Sequence, residues 1–196
     1  MVGGTTVKLY AIYNRDITFK SGLNGATTST ETQWYNPYDV SQVTEVSVPL
    51  LDEIENWYNV GYRNDTTPAA PGEEPSGIVY NGEGQRFTLS ATNTDTTYYG
   101  IYSRIITFIS SIEDDLIINE GTQYLNVNNN VTSSVLAPAP TAIANWTALG
   151  YRDDTDAGVA EYTVTISAAN ITPAYTTSDT MYAVYSRNLT IYFNGN

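Results

Sequence analysis

Residues 99–108, Tyr-Gly-Ile-Tyr-Ser-Arg-Ile-Ile-Thr-Phe, decide how this chain is read, because the same pattern stands in two other places. It occurs as Tyr-Ala-Ile-Tyr-Asn-Arg-Asp-Ile-Thr-Phe at 10–19 and as Tyr-Ala-Val-Tyr-Ser-Arg-Asn-Leu-Thr-Ile at 182–191. Its arginines, Arg15, Arg104 and Arg187, stand 89 and 83 residues apart. A second marker, Asn56-Trp57 running on to Gly61-Tyr62-Arg63, returns 89 residues later as Asn145-Trp146 running on to Gly150-Tyr151-Arg152. Self-similarity at a fixed period marks a duplicated structural unit, and two anchors agreeing on one period are a far stronger signal than any single short motif. The six-residue deficit of the second copy falls after Gly-Tyr-Arg, where the first copy carries Thr-Pro-Ala-Ala-Pro-Gly-Glu-Glu-Pro-Ser-Gly at 67–77. That stretch reads as an inserted surface loop, since its prolines cannot donate ladder hydrogen bonds and its glycines favour turns.

Within the anchor, period-two alternation puts Tyr99, Ile101 and Ser103 on one face of a strand and Tyr98, Gly100, Tyr102 and Arg104 on the other. One position is small in every copy, as Ala11, Gly100 and Ala183, which predicts a bulky neighbour over it; Trp57 and Trp146 are the candidates. No proline, Gly-Ser filler or charge block separates one copy from the next, so the units are expected to be coupled stiffly by strand continuation. Further strands of the second unit are expected at 104–109, 122–127, 148–152, 162–166 and 181–187, between turns rich in Asn, Pro and Asp. Residues 48–55 have the pattern of a short helix, whereas Val-Leu-Ala-Pro-Ala-Pro at 135–140 is too rich in proline for a helix interior. A unit of roughly 85 residues without disulfide or metal needs a compact aromatic core, and Trp57 and Trp146 are its expected centres.

Composition agrees with sheet and removes several kinds of chemistry. Seventeen Tyr and only 15% charged residues favour half-buried pleated strands over amphipathic helices. With no Cys and no His, thiol nucleophiles, disulfides and imidazole bases are absent; the missing cysteines fit a bacterial exterior or cytosol. Eight basic against 21 acidic residues, with no Lys after Lys20, cannot form a phosphate-neutralising surface, so nucleic acid is excluded as a partner. Apolar runs such as 104–109 are far short of the roughly 20 residues that cross a bilayer, and no membrane insertion is expected. Met1-Val-Gly-Gly4 lacks a basic start and an apolar stretch and reads as an added start, not a signal peptide.

The order of these markers resembles the internalin B-repeat, or Listeria-Bacteroides repeat, family of Gram-positive surface proteins. In that family an opening strand ending in Thr-Phe is followed by a proline-containing approach to a Gly-aromatic marker and by a closing strand of the Leu-Tyr-Ala-aromatic type. Here the matching segments are Arg104 to Phe108, Ala137-Pro138-Ala-Pro140 leading to Leu149-Gly150-Tyr151, and Thr180 to Tyr185; the first unit gives Asp16 to Phe19, Val60-Gly61-Tyr62 and Thr97 to Tyr102. Tyr62 and Tyr151 stand where the family usually has Trp, the tryptophans sit earlier, and the units are longer. The resemblance implies a β-grasp-like module, repeated as a stalk in cell-wall-bound adhesins and internalins, with no catalytic residues.

Candidate chemistry is sparse. The acidic stretch Asp153-Asp154-Thr-Asp156 offers carboxylates to calcium, but it lacks the full calcium-loop spacing and terminal Glu, and its counterpart at Asn64-Asp65 has lost two of three acids, so a solvated turn is the better reading. The pairs Glu73 with Glu74 and Asp114 with Asp115 would need one desolvated carboxyl to work as acid and base, which their polar neighbourhoods do not supply. An isopeptide staple through Lys20 cannot belong to the repeated design, because the second unit has no Lys. Exposed Tyr and Trp suit sugar rings, which makes a carbohydrate-binding module of a secreted protein the rival reading.

The expectation is a mainly β chain, with α+β as the variant, built as two tandem β-grasp-like modules joined end to end. Residues 1–14 are read as the closing strand of a preceding repeat, 15–103 as module one, 104–187 as module two and 188–196 as the start of a following repeat. The function expected is a non-enzymatic spacer, stalk or adhesion segment of an extracellular, cell-wall-associated protein. It is expected to be a monomer without catalytic, cofactor or metal residues, meeting a host or neighbouring-cell protein or glycan.

Overall fold

The computed structural model describes residues 6–39, 41–65, 67, 70–80, 85–110, 117–156 and 158–194. Met1 to Gly4, Asp114, Asp115 and part of the 67–77 insertion lie outside the described residues. The fold is mainly β. The first repeat supplies β1 (Tyr13–Lys20), β2 (Thr28–Tyr35), β3 (Val46–Ser47), β4 (Tyr58–Arg63), β5 (Val79–Tyr80) and β6 (Arg86–Phe87), with one 3-10 turn at Leu23–Gly25. A 13-residue strand, β7 (Thr97–Ile109), follows. The second repeat supplies β8 (Ile117–Asn126), β9 (Val131–Thr132), β10 (Val135–Ala137), β11 (Thr147–Arg152), β12 (Tyr162–Thr163), β13 (Ala169–Ile171) and β14 (Thr180–Ser186).

The pairing pattern is written twice, with β7 serving both copies. β1 runs antiparallel to β2 and parallel to the start of β7, where Thr18 faces Thr97. The first half of β7 also pairs antiparallel with β4, which pairs with β5. The second half of β7 then takes the part of β1, lying antiparallel to β8 and parallel to β14, where Thr107 faces Thr180. β14 pairs with β11, and β11 with β12. Two small ladders, β3 with β6 and β10 with β13, complete each copy. A register shift between Phe108 and Ile109 sets β8 one residue off its counterpart, so Arg15 faces Gln33 while Arg104 faces Gln123.

Alternation along β7 is as its sequence requires: Tyr98, Gly100, Tyr102, Arg104, Ile106 and Phe108 are buried on one face through both halves. Buried side chains gather into two clusters. The first holds Ile17, Phe19, Val46, Tyr62 and Tyr98, and the second their counterparts Ile106, Phe108, Val135, Tyr151 and Met181. An edge-to-face aromatic pair with centroids 5.0 Å apart sits in each, Phe19 on Tyr62 and Phe108 on Tyr151. Burial pushes the Tyr62 phenol up to about 12 and the Tyr151 phenol upward as well, and their hydroxyls donate to the carbonyls of Leu50 and Pro138.

Three expectations are corrected. Residues 48–55 are not helical: the segment is irregular, Val48 and Leu51 turn inward, and the Val48 N–H donates to the Gln85 carbonyl across the chain. The small residue at Gly100 is covered by Leu51, whose Cδ2 lies 2.7 Å from where a Cβ would stand, and not by Trp57. The tryptophans do not share one environment, for Trp57 is 7% exposed and Trp146 is 39% exposed. Tyr62 and Tyr151 of the Gly-Tyr-Arg marker, at 1% and 0%, are the paired core centres instead. The marker's glycine is needed by geometry: Gly150 has φ +137° at a β-bulge, and a Cβ there would overlap the Tyr162 carbonyl oxygen.

Candidate functional site

Each repeat closes on an arginine clamp. Arg15 Nε and Nη2 donate to Gln33 Oε1 at 2.9 and 2.6 Å, and the same guanidinium reaches the carbonyls of Leu89, Ser90 and Asn93. Arg104 repeats this with Gln123 Oε1 at 2.9 and 2.7 Å and with the carbonyls of Ala174 and Thr177 at 2.9 and 2.6 Å. The glutamine amides donate onward, Gln33 to Thr44 and Leu89, and Gln123 to Ser133 and Pro173. A planar, five-donor guanidinium can hold a strand to several loop carbonyls at once, which explains why Arg and not Lys recurs in the anchor. Desolvation lowers the Arg104 pKa to about 10, which leaves it charged at neutral pH. The glutamines lie 18 and 19 residues after their arginines on different strands. Their recurrence is the one signal in the sequence that could have found them.

The joint between the repeats is built around Trp57. The guanidinium carbon of Arg104 lies 4.4 Å from the centroid of the Trp57 ring, and Trp57 Nε1 donates to the Tyr175 carbonyl at 3.3 Å. Tyr175, Leu125 and Val127, all from the second repeat, pack into the first cluster, where Leu125 and Val127 are fully buried. Polar ties accompany them: the Asn130 side chain bonds to both the backbone N–H and the side-chain oxygen of Asn24, and Asn126 Nδ2 donates to the Asp65 carbonyl. An open cleft of about 640 Å³, lined in part by Asp52, Glu55, Trp57, Arg104, Tyr175 and Asp179, runs along this joint.

The equivalent position in the second repeat is uncovered. Trp146 keeps the local build of Trp57: the preceding Asn145 has φ 67° as Asn56 has φ 63°, and the Trp146 N–H donates to Ile143 as that of Trp57 does to Ile54. Arg187 lies 4.6 Å from the Trp146 centroid. The hollow beside it, about 420 Å³, is lined by Trp146, Asp154, Asp156, Tyr182 and Tyr185.

In the acidic stretch, carboxylate oxygens of Asp153, Asp154 and Glu161 lie within 4.8 Å of one another and could meet a cation. Both oxygens of Asp154 are engaged by Arg152 at 2.8 and 2.7 Å, and that bond holds the Asp154 carboxyl below its ordinary range. Asp156, read from sequence as part of the loop, bonds through its N–H to Asp154 Oδ1 and is not in the carboxylate group. Arg63 with Asp65 is the matching ion pair in the first repeat, at 2.8 Å. Glu73 and Glu74 are exposed, and Lys20 Nζ lies 5.8 Å from the centroid of Tyr99. Among the described residues no helix is long and apolar enough to cross a membrane.

No protein-family model, curated protein or solved structure matches the chain.

Proposed function

We propose that the chain is a non-enzymatic repeat segment of an extracellular, cell-wall-associated bacterial protein, working as an extended spacer or adhesion stalk and as a monomer. The observation that carries this reading is the sharing of β7: one strand closes the first unit and opens the second without slack. With Trp57, Arg104 and Tyr175 locking the joint, bending of one unit against the next meets packed side chains and not a tether. The division proposed is the one expected above, with residues 15–103 and 104–187 as the two units. Leu125 and Val127 of the second reach into the first. The central parallel pair flanked by antiparallel strands supports naming the unit β-grasp-like and supports the internalin B-repeat resemblance; an irregular 48–57 crossing replaces the helix of such a fold.

The net charge of −13 keeps such rods apart in solution. Small-angle X-ray scattering tests the reading: two units in line give a radius of gyration of roughly 19 Å, and a compact sphere about 16 Å. A value at the compact figure refutes the spacer. The rival, stacking of sugar rings, draws on Tyr13, Trp34 and Tyr58, at 59%, 48% and 71% exposure; glycan binding lost in Tyr58→Ala would favour it.

A further inference from the structure

We propose that the face formed by Trp146, Tyr185 and residues 187–193 is a docking surface for a further unit of the same build, entering along 187–193 and covering Trp146 as the second repeat covers Trp57. This rests on the modular reading above and deepens it, because it names the surface through which units add.

The strongest observation is a difference in burial between equivalent positions. Ile17 and Phe19 in the first repeat, and Ile106 and Phe108 in the second, are 0% exposed. Their counterparts Leu189 and Ile191 are 71% and 70% exposed, and the neighbouring Tyr192 and Phe193 are 88% and 90% exposed. Four apolar side chains in one short stretch, just after the Arg187 that stacks on the part-exposed Trp146, expose more apolar surface than a single exposed residue would. The arginine follows the same course, for Arg104 is 2% exposed and fully bonded, whereas Arg187 is exposed and, among the described residues, only stacks on Trp146.

The second observation is what fills the first core. Cluster one contains Trp57, Tyr102, Leu125, Val127 and Tyr175, which have no counterpart in cluster two. All five lie at the joint, so an incoming unit completes the core of the unit before it. Tyr185 is already placed for this: its hydroxyl meets Ser110 Oγ and the Thr141 carbonyl, as that of Tyr102 donates to the carbonyls of Ser21 and Asp52.

The third observation is an open edge. β8 adds antiparallel to β7 from Ile101 to Ile109, on the side where β1 ends at Tyr99. On the corresponding side of β14, β7 ends at Tyr182, and among the described residues no strand continues along 184–193. An unpaired edge flanked by apolar side chains is a template for strand addition. The occupant is therefore a unit carrying a β8–β9-like hairpin and a Tyr175-like loop. It is not a flexible peptide, which would lack the second of these.

The test uses this chain's own second unit as the probe. Residues 111–187 are repeated directly after Phe193 in place of 194–196, so that 187–193 stay as the entering strand, and Trp34 and the tryptophan of the added copy are changed to Phe. Trp57 then serves as a buried reference and Trp146 as the reporter. In the chain as it is, iodide should quench Trp146. In the extended chain its quenching should fall roughly fivefold, the ratio of 39% to 7% exposure, with a blue-shifted emission. Protease resistance and near-UV dichroism report separately whether the added unit folds. A folded added unit with Trp146 quenched as before overturns the docking surface and leaves the modular reading intact. An added unit that fails to fold overturns the modular reading and the surface with it.

Discussion

Replacing Arg104 with Ala is the sharpest probe of what holds the two units together, because the chain carries the same arginine in three environments. Arg104 gives two bonds to the fully buried Gln123, one each to the carbonyls of Ala174 and Thr177, and a ring stack to Trp57. Its removal orphans a buried amide oxygen and two part-buried carbonyls, at about 1–3 kcal/mol each when water cannot repair them. Water reaches the part-buried pair, so the loss settles at about 3–5 kcal/mol, with a further ~0.5–2 kcal/mol from the cation on Trp57. For a unit of this size each kcal/mol is worth ~4–8 °C, and the second unit should melt at least ~12 °C lower by calorimetry. Arg187→Ala removes only an exposed stack and should cost below about 1 kcal/mol. Arg104→Lys keeps the charge but not the fork and should recover less than half of the loss. Arg104→Ala and Arg187→Ala melting within about 1 kcal/mol of each other would refute the clamp.

Gly150→Ala should cost at least about 3 kcal/mol in urea denaturation of the second unit, since the added methyl overlaps the backbone of Tyr162 at a positive φ. An unchanged midpoint would show that the bulge relaxes freely. Alkali should unfold the protein above pH 10. The phenols of Tyr62, Tyr98, Tyr102 and Tyr151 are raised above 10.0 by burial, so the stability they contribute is whole below pH 10 and falls as the pH climbs through their folded values. Arg104, lowered to about 10, acts with the opposite sign but is one group against four. Cooperative phenolate appearance coincident with loss of near-UV dichroism is the expected result, and smooth titration of every tyrosine about pH 10 contradicts it.

Much of the fold is legible in local pattern. Period-two alternation through Tyr98 to Phe108 marks a buried strand face, and the absence of punctuation between the copies lets it run on as one strand. The 135–140 segment is rightly kept from helix by its prolines, yet it holds a three-residue strand, because pairing with β13 is a long-range event that composition does not encode. The helical pattern at 48–55 yields to tertiary structure: burying Val48 and Leu51 in the sheet core outweighs weak helix propensity in a short segment.

The sequence by itself determined that one β unit is written twice, that its anchor is a strand, and that thiol and imidazole chemistry are absent, because repetition, alternation and composition are properties of the chain alone. Only the tertiary structure decided that the two tryptophans have different fates. Trp57 and Trp146 each follow an Asn at positive φ and have the same local backbone bond to an Ile carbonyl, but burial is set by what arrives from elsewhere in the chain. Tyr175 and Arg104 arrive over Trp57; among the described residues Trp146 receives the Arg187 stack and stays 39% exposed.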